Sequence, residues 1–260
     1  SPVATLGNSL HIPVMKPETL KDPAFQQSLV DLKADIWLIV AYGRILPRSF
    51  LALMPEKVVN IHPSLLPKYR GPAPIHAALR NGDSETGVSL MLIDHKMDHG
   101  PLIAQTSLDI QPDETYPELS ERLIQPSVDL IQNALPQFLA GNISPTPQDH
   151  TQASYVSLIT KQEGKIDWSQ TAYEIYNQYR AFVIWPGVFG TLPDGRKVNL
   201  EMNGLTQESL LPGSWQYRGE NLLIGTATQA LAISRLKPAG KNWLTPQQFA
   251  QGFGKEGKME

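Results

Sequence analysis

The sequence predicts an α/β protein in which a Rossmann-like, mostly parallel sheet domain is followed by a small, OB-like β-barrel domain. In the first half of the chain, short apolar runs alternate with helical segments, which is typical of doubly wound sheets. In the second half, short strands are separated by Pro-Gly and Asp-Gly turns, which is typical of small all-β domains. A polar stretch containing Pro145 and Pro147 separates the two patterns. We therefore predict a first domain at residues 1–141, a linker at 142–154 and a second domain at 155–260.

The strands of the first domain are predicted from apolar runs. Residues 35–43 are too uniformly apolar for a half-exposed strand, so they are predicted to form a buried parallel strand. Two further runs at 58–62 and 87–93 are separated by a short helix over 73–80 that Gly82 ends. The order strand, helix, strand predicts a βαβ unit, in which the two strands are parallel.

A longer helical segment closes the first domain. Thr115 and Glu118 form a capping box, and leucine and isoleucine recur at helical spacing as far as Leu139. Gly141 is suited to end the segment. Because Pro126 falls inside it, we expect two helices or one bent helix.

The second domain begins with a helix capped by Thr171 and Glu174. After this helix, Pro193-Asp194-Gly195 is a turn signal between two short strands, which predicts a hairpin. The strands predicted in this domain are 190–192, 197–200, 221–224 and 230–233.

Composition excludes several classes of protein. The 260 residues include no cysteine, which excludes disulfide scaffolds, zinc–thiolate sites and cysteine nucleophiles, and a reducing cytoplasm is expected. No apolar stretch approaches the roughly 18 to 20 residues of a membrane span. The net charge is −3, but residues 1–150 carry 11 Lys and Arg against 16 Asp and Glu, whereas residues 151–260 carry 11 against 9. The second half is therefore better suited to a polyanionic partner, and we expect a monomer without a membrane partner.

Asn60 and His62 are the strongest candidates for chemistry. They stand two residues apart at the end of an apolar run, so their side chains project on the same face of a strand end, where α/β enzymes carry reactive groups. An amide can donate a hydrogen bond to a developing oxyanion, and an imidazole can transfer a proton near neutral pH. By itself the pair also fits a turn-capping asparagine and a structural histidine.

Asp98 adds a carboxylate to this pair. It lies in a polar loop after the strand at 87–93, and a parallel topology places that loop at the sheet edge that holds His62. A carboxylate there can orient and stabilise a charged imidazole, although an aspartate shortly before Gly100 is also common in turns. Residues 94–99 contain two Asp-His pairs, but their spacing fits no metal-binding motif, so we expect no metal.

These residues are part of a longer signature. Asn60 to Pro74 reads NIHPSLLPKYRGPAP, and this segment resembles the signature of the 10-formyltetrahydrofolate-dependent formyltransferases, with Asp98 where that family keeps its catalytic aspartate. Four further segments are similar to the members of the family that act on methionyl-tRNA. They are VAYGRILP at 40–47, GDSETGV at 82–88, RAFVIWPG at 180–187 and KPAGK at 237–241.

The resemblance implies a formyltransferase fold, 10-formyltetrahydrofolate as co-substrate, and the amino group of methionyl-tRNA, the initiator tRNA, as acceptor. It implies catalytic roles for Asn60, His62 and Asp98. The folate would lie against the strand ends, lined by Ala41, Tyr42, Gly43, Ser64, Leu65, Leu66, Pro67 and Leu92. RNA phosphates would be held by Arg70, Arg180, Lys237 and Lys241, each of which also fits a solvated surface charge.

The resemblance also implies a missing beginning. Members of this family open with a strand, a Gly-Thr-Pro loop and a basic loop that enters the acceptor end of the tRNA, and Ser1-Pro2-Val3 matches the family just after that loop. The first strand belongs to the centre of the sheet, so we expect this chain to have an unpaired strand edge, to be poorly stable and to be inactive.

Three alternatives stay open. A formyltransferase that acts on a nucleotide-linked amino sugar would share the signature and the folate. A hydrolase that releases formate from the same folate would share the three side chains, and an inactive RNA-binding remnant would bind tRNA regardless of Asn60. The segments at 180–187 and 237–241 favour the enzyme that acts on tRNA.

Overall fold

The computed structural model describes residues 1–43 and 45–260, and Arg44, which falls within the VAYGRILP segment, lies outside the described residues. The described residues form two β-sheets with α-helices around them. The strands are β1 (Trp37–Ile39), β2 (Val58–His62), β3 (Glu85–Leu92), β4 (Leu102–Asp109), β5 (Val188–Thr191), β6 (Lys197–Leu205), β7 (Ser214–Arg218), β8 (Asn221–Ile224), β9 (Leu231–Pro238) and β10 (Glu256–Lys258). The helices are α1 (Pro2–Ser9), α2 (Pro23–Asp31), α3 (Arg48–Leu51), α4 (Pro74–Asn81), α5 (Tyr116–Arg122), α6 (Ile124–Leu139), α7 (Ala172–Phe182) and α8 (Pro246–Phe253).

The first sheet has the order β1-β2-β3-β4 and is mixed. β1 runs parallel to β2, with Ile39 opposite Asn60, whereas β2 and β3 are antiparallel, with His62 opposite Ser89. β3 and β4 are also antiparallel. The α/β class is therefore confirmed, but the prediction of a mostly parallel sheet and of a parallel βαβ unit is wrong for the described strands.

The direction of β3 was mispredicted because apolar content indicates burial and not orientation. β2 and β3 are both largely buried, as their apolar runs predict. The helix between them, α4, makes its most extensive contacts with α7 and few with β3, so the connection does not cross the face of the sheet. The chain therefore re-enters the sheet at the end where it left it, which makes the neighbouring strands antiparallel.

The capping signals are confirmed at both helices for which they were predicted. Thr115 and Glu118 form the capping box that begins α5, and Thr171 and Glu174 form the one that begins α7. The segment that contains Pro126 forms two helices, α5 and α6, as expected, and the break falls at Leu123. This places Pro126 in the first turn of α6, where its missing N–H costs no helical hydrogen bond.

The second sheet is antiparallel and has the order β10-β7-β8-β9-β6-β5. The predicted hairpin is present, since β5 pairs with β6 and Thr191 lies opposite Lys197. The predicted closed barrel is not confirmed, because no strand pairing in the described part of the chain joins β10 to β5. Near the two edges, the backbones of Thr191 and Glu260 are joined by two hydrogen bonds, at 2.7 and 2.9 Å.

Three helices join the two sheets. α7 follows the predicted linker in sequence and packs against α4 and α5, which belong to the first half of the chain. The hydrophobic core is accordingly continuous from Val59 and Leu90 in the first sheet through Phe182 in α7 to Leu231 in the second sheet. We call the contact of α4, α5 and α7 the helix contact. None of the helices that the structure describes is both long enough and apolar enough to span a membrane.

Candidate active site

The end of β2 presents the two polar side chains of an otherwise apolar strand. Asn60 is partly buried and His62 is only 5% exposed. Being two residues apart on one strand, they project on the same face, about 7 Å apart along the strand. Among the described residues, the amide of Asn60 makes no hydrogen bond with another side chain, so its N–H groups are available to a ligand.

The imidazole of His62 is held on one nitrogen and free on the other. Its Nε2 lies 3.0 Å from the carbonyl oxygen of Tyr69, so Nε2 must carry hydrogen and donate. Nδ1 lies 3.8 Å from Oδ2 of Asp98, which is within ion-pair range but longer than a hydrogen bond. Because Nε2 already carries hydrogen, a second proton on Nδ1 makes the ring an imidazolium that faces the carboxylate of Asp98. The contact with Asp98 is too long to be a hydrogen bond, so the proton on Nδ1 can be donated to a third group.

Asp98 reaches His62 by a different route from the predicted one. β3 is antiparallel to β2, so it ends beside Val59, at the start of β2 and away from His62. The loop between β3 and β4 then carries Asp98 back towards His62. There the carboxylate accepts a hydrogen bond from the backbone N–H of Gly71 at 2.8 Å. A side chain at Gly71 would place its Cβ 2.2 Å from the carbonyl oxygen of Val156, so this close approach requires glycine.

The turn after His62, residues 64–67, is built on internal polar contacts. Ser64 is fully buried and its hydroxyl donates to the carbonyl of Lys68 at 2.6 Å. The hydroxyl of Ser89 accepts from the N–H of Leu66 and donates to the carbonyl of Ser64. Of the predicted folate-lining residues in this turn, Ser64 and Leu66 are therefore inside the protein, whereas Leu65 and Pro67 are partly buried.

The other residues predicted to line the folate site lie beside Asn60. Ala41, Tyr42 and Gly43 are exposed and follow β1, whose last residue, Ile39, is paired with Asn60. Leu92 is partly buried at the end of β3. Residues 41–43 thus follow the strand on one side of Asn60, and Leu92 ends the strand on its other side, so the two segments flank Asn60.

Two of the four predicted phosphate-binding cations are inside the protein. Arg70 is 1% exposed and Arg180 is 2% exposed. Arg180 donates to the carbonyl of Glu114 at 3.0 Å and to Oδ1 of Asn177 at 2.5 Å, and burial lowers its pKa. Their guanidinium groups hydrogen-bond to the protein itself, so a role in contacting RNA phosphates does not fit the structure.

The other two predicted cations are exposed, Lys237 on β9 and Lys241 in the turn after it. Their ammonium groups lie 6.0 Å from the ring centre of Trp243 and 5.3 Å from that of Phe253. Lys197 on β6, which was not predicted, lies in the same way 3.6 Å from the ring centre of Phe189. We call Lys197, Lys237 and Lys241 the basic patch.

The buried Arg70 has three partners in or next to the predicted linker that the sequence did not indicate: Gln148, which is buried, and His150 and Tyr155, which are exposed. Arg70 donates to Oε1 of Gln148, to Nδ1 of His150 and to the hydroxyl of Tyr155. Partial desolvation lowers the pKa of His150, and the cationic Arg70 acts in the same direction. Burial raises the pKa of Tyr69 to about 12, so its hydroxyl is a fixed structural donor. Nothing in a polar segment rich in proline distinguishes these residues from solvated linker residues.

No group of three or more His, Cys, Asp or Glu side chains in the described ranges is arranged to hold a metal ion. The Asp-His pairs at 94–99 instead form local contacts. His99 lies 2.6 Å from Asp94 and its ring stacks on that of His150, with centroids 3.9 Å apart.

The sequence matches known families over most of its length. Residues 2–135 match the formyl transferase family, and residues 158–254 match the formyl transferase C-terminal domain. A methionyl-tRNA formyltransferase of Roseiflexus castenholzii is 38% identical, with 97% of this chain and 81% of that protein aligned. A methionyl-tRNA formyltransferase of Heliobacterium modesticaldum is 37% identical, with 97% and 83% aligned.

A solved structure shares the fold. It is the N-formyltransferase of Helicobacter canadensis in complex with folinic acid and dTDP-3-aminofucose, with a TM-score of 0.68, 23% identity, and coverage of 88% of this chain and 80% of that one. At 23% identity, the likeness establishes a common fold but does not identify the acceptor substrate of this chain.

Proposed function

The chain belongs to the formyl transferase family, and from this premise we propose that it transfers the formyl group of 10-formyltetrahydrofolate to the free amino group of methionyl-tRNA. The product would be the N-formylmethionyl-tRNA that starts translation. The observation that carries the proposal is the ion-pair contact of His62 with Asp98, with the free amide of Asn60 on the same face of β2. The relatives that bear the name methionyl-tRNA formyltransferase align over nearly the whole chain, which favours this acceptor.

In the proposed reaction, the amine nitrogen of the methionyl group attacks the formyl carbon, a C–N bond forms, and the carbonyl electron pair moves to oxygen. The amide of Asn60 and the proton on Nδ1 of His62 are the donors for this oxyanion. Asp98 either stabilises the imidazolium form of His62 or, through His62 or a water, accepts the proton that the attacking amine loses. The oxyanion then reforms the carbonyl and expels N10 of the folate, which takes up the proton that the attacking amine lost.

The folate donor is a co-substrate in this scheme. Exposed residues 41–43 and the half-buried Leu92 are proposed to contact its pterin, next to Asn60. Buried Ser64 and Leu66 are proposed to hold the floor of the site without direct exposure to the ligand. The proposed chemistry uses no metal ion, since both donors to the oxyanion, on Asn60 and His62, are side-chain N–H groups.

The RNA part of the acceptor is proposed to contact the basic patch. Its lysines are exposed and two lie in the segment at 237–241. We propose a division of work in which a first domain at 1–141 holds the folate and a second domain at 155–260 holds the tRNA. We propose that the protein acts as a monomer in the cytoplasm, where translation starts.

A formylation assay tests the proposal. The purified full-length protein is given 10-formyltetrahydrofolate and methionyl-tRNA, and formylmethionyl-tRNA is measured. Removing one oxyanion donor costs about 3 kcal/mol, so Asn60→Ala should lower kcat about a hundredfold. Asn133→Ala, at an exposed asparagine of α6, is the matched control and should leave kcat unchanged.

Three results would replace the proposal. Formylation of an aminosugar nucleotide in place of methionyl-tRNA would identify a sugar formyltransferase. Formate released without any amine acceptor would identify a hydrolase. Salt-sensitive tRNA binding that ignores Asn60→Ala, without folate binding, would identify an RNA-binding remnant.

A further inference from the structure

Gln148 lies in the segment between α6 and α7, yet it contacts the loop that carries Asp98. It is 5% exposed. Its Nε2 donates to the carbonyl oxygen of Asp98 at 3.0 Å and to that of Gly100 at 2.7 Å. Both amide protons of this side chain are therefore used to hold the main chain on either side of His99.

The other end of the same amide is held by Arg70. Oε1 of Gln148 accepts from Nη2 of Arg70 at 2.6 Å and from Nε at 3.2 Å. This fixes the orientation of the amide, because the reverse orientation would set N–H groups against a guanidinium and an oxygen against two carbonyls. Arg70 also donates to Nδ1 of His150 and to the hydroxyl of Tyr155, so its guanidinium is held by three side chains between residues 148 and 155.

The loop needs such a support because its backbone is strained at the functional residue. Asp98 has a φ of 46°, in the left-handed region that non-glycine residues rarely adopt. Its carboxylate is oriented by the N–H of Gly71, the residue next to Arg70. Gln148, held by Arg70, thus fixes the main chain of Asp98, and the N–H of Gly71 fixes its side chain. The carboxylate lies 3.8 Å from His62.

We propose that Gln148 is a positioning residue for formyl transfer: it holds the Asp98 loop so that the carboxylate faces Nδ1 of His62. The inference rests on the proposed function, since it assigns Gln148 to the same reaction. It also links the segment between the two sheets to the site.

The variant Gln148→Glu tests this with little change in shape. It keeps an oxygen for Arg70 but sets the second carboxylate oxygen against the carbonyls of Asp98 and Gly100. We expect kcat to fall about tenfold or more, while KM for the folate stays within about threefold, because positioning acts on the reaction step. Gln152→Glu is the matched control, since Gln152 is exposed in the same segment and the charge change is identical. It should leave kcat unchanged.

A double-mutant cycle separates positioning from a general structural role. If Gln148 acts through Asp98, then adding Gln148→Glu to Asp98→Asn should lower kcat by less than about twofold further. An equal loss in both backgrounds would show that Gln148 acts elsewhere and would overturn the proposal. Thermal melts of all variants establish that folded proteins are compared.

Hydrogen exchange at the backbone N–H of Gly71 tests the same inference without any substrate. This N–H donates to the Asp98 carboxylate, so its exchange should be at least about tenfold faster in Gln148→Glu than in the wild type or Gln152→Glu. If the wild type does not formylate methionyl-tRNA, the proposed function fails, but faster exchange at Gly71 still supports the positioning of Asp98. Unchanged exchange would overturn it.

Discussion

The helix contact and the basic patch both carry cations, but these cations have opposite surroundings. In the helix contact, Arg180 is buried, and its Nη1 and Nη2 donate to the carbonyl of Glu114 and the side chain of Asn177, whereas its Nε has no partner among the described residues. In the basic patch, Lys237 and Lys241 are exposed, and each ammonium group faces an aromatic ring.

The difference determines what each cation can bind. A buried guanidinium has exchanged its water for protein acceptors, and a phosphate could reach it only by breaking those hydrogen bonds. An exposed ammonium above an aromatic ring keeps its solvent side free, because the ring contacts only one side of it. The helix contact is therefore suited to holding the two sheets together, and the basic patch to binding a polyanion.

The largest effect is expected from breaking the helix contact. Arg180→Met would leave the carbonyl of Glu114 and Oδ1 of Asn177 buried without their donor, which should lower the free energy of unfolding by about 3 kcal/mol. Urea denaturation at 25 °C measures this. Arg196→Met is the control, because Arg196 is an exposed ion-pair partner of Asp194, and it should change stability by less than about 1 kcal/mol. Equal losses in the two variants would remove the distinction between buried and exposed cations.

A smaller effect is expected from the basic patch, and it concerns binding and not stability. Lys237→Gln combined with Lys241→Gln should weaken tRNA binding several-fold at low salt and reduce the slope of log K against log salt by about 0.9 for each phosphate that is no longer neutralised. The free energy of unfolding should stay within about 0.5 kcal/mol of the wild type. Binding measured from 50 to 300 mM salt, on the order of physiological values, gives the slope. The matched control is Lys21→Gln with Lys33→Gln, two exposed lysines in the first half of the chain. If both pairs have the same effect, the basic patch has no special role.

Local signals in the sequence predicted much of this architecture. The capping boxes at Thr115 and Thr171 and the turn at 193–195 depend on residues within a few positions of each other, and all three are present. No strand is predicted at β4, because its residues, LIAQTSLD, do not alternate between apolar and polar types, although their burial alternates in the folded sheet.

What the sequence could not predict depends on contacts between distant segments. The burial of Arg180 follows from the packing of α7 on α5, more than 50 residues earlier in the chain, and no neighbouring residue indicates it. The approach of Asp98 to His62 was predicted from a parallel topology that does not exist, and the loop between β3 and β4 achieves it instead. Gln148 shows the same limit, because its partners at 98 and 70 are distant in sequence.

The smallest effect is expected from a second basic group in the helix contact, the imidazole of His76 in α4. Its ring stacks on that of Tyr116, with centroids 3.8 Å apart, and burial lowers its pKa. The unfolded chain therefore takes up this proton more readily than the folded protein does. The stability that the neutral ring contributes is fully present above the ordinary histidine pKa of about 6.5 and is lost as the pH falls through the lower folded value.

His76→Phe keeps an aromatic ring against Tyr116 but cannot be protonated, so it should lose less stability than the wild type between about pH 7 and 5. Urea denaturation of both proteins over this range gives the difference curve, in which the titrations of carboxylates common to both proteins cancel. The curve should be level above about pH 7.5 and turn in favour of His76→Phe below 6.5. A level curve throughout would mean that His76 takes up its proton as readily in the folded protein as in the unfolded chain. Of the two basic groups in the helix contact, only Arg180 would then have a pKa lowered by burial.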